Sequence, residues 1–128
     1  MFNFFKKKKS EPKSKTKITN QENIKIPNDP VERNLQGKEL EKAGEIEKAI
    51  EFYEKNIEEK FEGNHPYDRL AIIYRKRKEY QEEIRVLNQA ISVFEKEKIK
   101  SKRQDVGLKL MKFKERLDKV KALKENEK

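Results

Sequence analysis

Gly44-Glu45-Ile46-Glu47-Lys48-Ala49-Ile50-Glu51-Phe52-Tyr53-Glu54-Lys55-Asn56-Ile57 is matched in pattern by Lys78-Glu79-Tyr80 through Ile91, displaced by 34 residues. The displacement brings Ile46 onto Tyr80, Ile50 onto Ile84, Tyr53 onto Leu87 and Ile57 onto Ile91. Upstream it brings Gly37 onto Ala71 and Leu40 onto Tyr74. Apolar residues at alternating steps of four and three mark one face of a helix. A repeat of this length signals a unit that hides its apolar face against a neighbouring copy. The fold class follows: all-α, two helical hairpins stacked side by side.

Working outward, Asp29 and Glu32 flank Pro30 as a capping box that opens a first helix running to about Ala43. Gly44 supplies the turn into the second helix, whose stripe Phe61 extends. Glu62 through Pro66 breaks the pattern, with Asn64 as the cap of a third helix carrying Tyr67, Leu70, Ile73 and Tyr74. The fourth helix carries Tyr80, Ile84, Leu87, Ile91 and Phe94. Ser101 and Gln104 form a further expected capping box, followed by Val106, Leu110, Phe113, Leu117 and Val120 on one stripe. The expected divisions are a disordered basic leader at 1–28, hairpins at about 30–63 and 64–97, and a basic C-terminal capping helix at 98–128.

Composition agrees with a thin core. Only 33% of the 128 residues are apolar and 45% are charged, which suits amphipathic helices better than a deep globule. The net charge of +9 is concentrated at the ends. Residues 1–30 carry eight Lys against three acids, and residues 98–128 carry twelve bases against five acids. The repeated centre has thirteen bases against sixteen acids. Such ends favour an anionic partner.

A hairpin period of 34 with small residues at the helix crossing resembles the tetratricopeptide repeat over residues 30–97. Gly37, Leu40, Gly44, Ala49 and Tyr53 fall on that pattern in the first unit. Leu70, Ala71, Tyr74, Tyr80, Ala90 and Ile91 do so in the second. Glu83 and Asn56 stand where the family prefers Ala, and Lys78 where it prefers Gly. A charge at a helix crossing must tilt outwards or find a partner, so the second hairpin is expected to pack more loosely. The resemblance implies capture of a peptide or helix in a concave groove lined by the first helix of each hairpin. Carried onto this chain, that groove comprises Asn34, Lys38, Glu41 and Lys42, then Asp68, Ile72, Arg75 and Lys76. The terminal helix adds Lys102, Val106 and Lys109. The bases among them favour an acidic segment or a terminal carboxylate.

The leader suggests another contact. Phe2, Phe4 and Phe5 followed by Lys6, Lys7, Lys8 and Lys9 combine rings with a polybasic patch, the two signals that reversible membrane anchoring needs. The lysine-rich last helix is expected to attract nucleic acid only nonspecifically. Self-association is an alternative way of covering the apolar seam. Catalysis has little to work with: His65 is the single histidine and cysteine is absent, so no enzyme, metal or cofactor is expected. The expectation is a cytoplasmic adaptor or scaffold, peripherally membrane-associated if the leader is used, with an accessory protein acting through its basic ends as the alternative.

Overall fold

The computed structural model describes residues 24–127. Within them the chain forms five helices: α1 Pro30–Lys42, α2 Ile46–Glu58, α3 His65–Lys76, α4 Tyr80–Lys100 and α5 Gln104–Asn126. No strand occurs among the described residues. Each helix packs on the next in chain order, and the short turns after α1 and α3 fold them into hairpins with α2 and α4. The apolar stripes meet in one core. Tyr53, Leu70, Ala71, Leu87, Ala90 and Val120 have no solvent exposure at all. Tyr67, Phe94 and Phe113 meet edge to face at centroid distances of 5.3 to 6.3 Å, welding α3 and α4 to α5.

The helix ends follow local chemistry. Asp29 caps α1, its carboxylate accepting the Glu32 N–H at 3.2 Å, with Pro30 as the first helical residue. The Glu32 side chain instead accepts from Gln36, so only half of the expected capping box is recorded. At the other end Gly44 adopts φ +84°, and the Glu45 N–H reaches back to the Leu40 carbonyl at 2.9 Å. The second hairpin makes the same turn 34 residues later. Lys78 adopts φ 59° there, and the Glu79 N–H reaches the Tyr74 carbonyl at 2.9 Å. Asn64 precedes α3 as expected, but its amide donates to the Asp68 carboxylate rather than capping the helix. Ser101 does not build a capping box with Gln104. Its hydroxyl accepts the Arg103 N–H at 3.1 Å within an extended connector.

The charge that was expected to loosen the second hairpin, Glu83, is met by a partner inside it. Glu83 is buried, and both its oxygens accept from Arg75 Nε at 2.8 and 3.0 Å. The partner required of a buried charge is supplied from within the hairpin. In the first hairpin the buried charge is Arg33. It donates to the carbonyls of Pro27 and Asn28, to Asn56 Oδ1 and to Glu59. Asn56 in turn donates to the Pro30 carbonyl at 3.0 Å. Residues 24–28, expected to belong to a free leader, are therefore held by Arg33, and Ile24 packs against the core.

Candidate functional site

Three polar bridges set α1, α3 and α5 beside one another. Asn34 on α1 pairs its side-chain oxygen with His65 Nδ1 at 2.9 Å. Glu41 on α1 forks onto Arg69 of α3, with Nε at 3.1 and 3.0 Å from its two oxygens. Asp68 on α3 accepts from Arg116 of α5 at 2.6 Å.

The middle bridge is a small network. Glu41 also accepts the Tyr53 hydroxyl at 2.9 Å. Burial pushes its carboxyl upward, but the hydrogen bonds from Arg69 and Tyr53 outweigh this and hold it below the usual carboxylate range. Burial and the bond to Glu41 push the Tyr53 phenol up. Burial, with Lys38 and Arg69 nearby, lowers the His65 pKa below its ordinary value. Tyr53 meets the His65 ring edge-on at 5.6 Å, which locks α2 into the same cluster. Every strong acceptor here already has a donor. The cluster is a structural joint.

The proposed groove residues therefore divide. Asn34, Glu41, Asp68 and Arg75 are half-buried and engaged within the fold. Lys109 lies 3.3 Å from Asp105. Val106 belongs to the core, not to the groove. Lys102 sits in the connector between α4 and α5 and is exposed. Lys38 and Lys76 are exposed, Ile72 is half-buried, and Lys42 reaches Glu39 only at 3.7 Å. No carboxylate among the described residues lies within ion-pair reach of Lys38 or Lys76. The proposed membrane residues Phe2, Phe4, Phe5 and Lys6 to Lys9 lie outside the described residues.

Two members of this face escaped sequence reasoning. Val31 and Leu35 are 57% and 49% exposed, one turn apart on α1, in line with Lys38 and Lys42. The spacing 31, 35, 38, 42 is itself a helical stripe, and it was the only available signal. Among the described residues there is no cluster of His, Cys, Asp and Glu able to hold a metal, and no helix long and apolar enough to cross a membrane. Comparison with models of known families, with curated proteins and with solved structures returns no match.

Proposed function

We propose that the two hairpins are tetratricopeptide-like repeats, with α5 as their cap, and that the chain is an adaptor binding another protein on the shared face of α1 and α3. The observation that carries this is the combination found there. An exposed Val31–Leu35 pair continues into Lys38 and Lys42, and Ile72 and Lys76 provide the same chemistry on α3. The bases of the face that are already paired contribute no net attraction, so these lysines set its charge. An extended or helical segment with aliphatic anchors and carboxylates is complementary to it. Charge of this kind chiefly governs encounter rate and selectivity, while the aliphatic contacts hold the complex. The 34-residue correspondence of turns and buried positions supports the repeat assignment.

The test is affinity capture from lysate of the source cell with the intact chain and with Lys38, Lys42 and Lys76 changed to Glu. Arg75 is left alone because Glu83 depends on it. A partner retained by the intact chain and by a Lys48→Glu, Lys55→Glu control, but lost from the triple variant, supports the groove. Equal capture by all three proteins overturns it.

A further inference from the structure

The connector between α4 and α5 is the most basic part of the described fold, and it also bears the most exposed aliphatic side chains. Lys96 through Arg103 contains five bases and one acid. Ile99 is 87% exposed, Leu108 62% and Met111 58%, more than any other large apolar residue among those described. All three lie within two to three turns of Ser101–Arg103. Lys98 runs alongside α5, its Cε 3.9 Å from where a Cβ on Gly107 would stand.

The local acids offset only part of this charge, Lys100 being paired with Glu62 at 3.1 Å. Glu97 is turned inward, with one carboxylate oxygen buried and 3.6 Å from Lys100. Asp105 is shared between Arg103 at 2.8 Å and Lys109 at 3.3 Å. No carboxylate among the described residues is within ion-pair reach of Lys96, Lys98, Lys102 or Lys112. Aliphatic tips surrounded by long cationic side chains match the boundary of an anionic bilayer. The tips enter the acyl region, the lysine stems lie on them, and the ammonium groups remain at head-group level. Nucleic acid fits less well, because single strands call for aromatic platforms and phosphate contact gains nothing from exposed Ile, Leu and Met.

We infer that the α4–α5 corner is a membrane-docking surface specific for anionic lipid, using Ile99, Leu108 and Met111 as shallow anchors among its lysines. The inference stands independently of the adaptor proposal. It gives the folded part of the chain a lipid contact of its own, apart from residues 1–9.

Flotation of the full chain with phosphatidylcholine vesicles, with and without phosphatidylserine, tests it. The intact chain is expected to float only with the anionic vesicles, and Ile99→Gln, Leu108→Gln, Met111→Gln to lower its partition at least about tenfold. All three sites are exposed, and an unchanged helical spectrum and melting curve verifies the fold. As a second measurement, Ile99→Trp is expected to show a blue-shifted emission with anionic vesicles alone. Flotation of the triple variant equal to the intact chain, or an unshifted tryptophan, overturns the inference. So does complete loss of flotation on removing residues 1–9 with the corner intact. Tighter binding to a DNA duplex than to anionic vesicles would assign the corner to nucleic acid. Concentration-dependent dimerisation abolished by the triple variant would assign it to a second copy. Either result overturns the lipid assignment.

Discussion

The two hairpins fill the same places with different chemistry. At 33 and 56 the first has Arg33 and Asn56, while at 67 and 90 the second has Tyr67 and Ala90. Arg33 Nε donates to the carbonyl six residues before it, Pro27, at 2.7 Å. The Tyr67 hydroxyl donates to the carbonyl six residues before it, Phe61, also at 2.7 Å. At 49 and 83 the exchange is reversed, with Ala49 in the first hairpin and the buried Glu83 in the second. Each unit thus tolerates one buried charge, at a different corner, provided the residues packed around it supply the partners. A 34-residue fold specifies volumes and hydrogen-bond needs at each place. Which side chain meets them is left open.

The strongest way to break this equivalence is at Arg33. Arg33→Met leaves Asn56 and two backbone carbonyls without their donor, and each acceptor left unsatisfied away from water costs about 1–3 kcal/mol. Urea unfolding of the intact chain and the variant measures it. Transplanting the second hairpin's solution, Arg33→Tyr with Asn56→Ala, is expected to restore most of the loss. A tyrosine there can reach the Pro27 carbonyl, and the alanine needs no partner. A transplant as unstable as Arg33→Met would show that the two corners are not interchangeable.

A finer exchange concerns packing. A Cβ on Gly37 would stand 2.7 Å from the Tyr53 ring, so the glycine is required by the aromatic residue facing it. Thirty-four residues on, the pair is Ala71 and Leu87, a larger residue opposite a smaller one, both fully buried. Gly37→Ala is expected to cost about 1–3 kcal/mol by overpacking. In a Tyr53→Leu background the same change is expected to cost little or to stabilise, although Tyr53→Leu itself forfeits the bond to Glu41. A double-mutant cycle reads the coupling directly. Additive losses would mean that the ring moves aside unaided and that the pairing of small with large is incidental.

How much of this was legible depended on whether one face of one helix settled the matter. Tyr53 and Leu87 were readable as core because steps of four and three need no knowledge of the partner helix. Arg33 lies on the same stripe as Gly37 and Leu40, at 33, 37 and 40, yet a charge on a stripe reads as its interruption until Asn56 and the Pro27 carbonyl are seen across the gap. The groove was harder for the same reason. Lys38 and Arg75 look alike in sequence, and only Glu83, buried eight residues further on, withdraws Arg75 from the surface. Val106 failed differently: α5 packs its stripe into the core so fully that no residue of that stripe is left for the groove. At Ser101 the capping pattern was present, but an extended backbone turned the hydroxyl to Arg103 instead.

The smallest expected effect lies at the hairpin turns, at the one left-handed position in each. Gly44 and Lys78 end α1 and α3 with left-handed φ values of 84° and 59°, and each turn closes with the same pair of backbone bonds. An L side chain in this region costs roughly 1–2 kcal/mol, while glycine forfeits about 0.5–1 kcal/mol of chain entropy on being ordered. Lys78 is exposed, so its replacement removes no packing. A cation at a helix C-terminus recovers part of the strain, which explains why lysine is tolerated there. Lys78→Gly is accordingly expected to stabilise the chain by about 0.5–1 kcal/mol, and Gly44→Lys to destabilise it by a similar amount. Urea midpoints of the two variants, together with the double exchange, measure both. If Lys78→Gly instead lowers the midpoint, the lysine contributes more through its charge than it loses through its backbone, and the two turns are equivalent in shape alone.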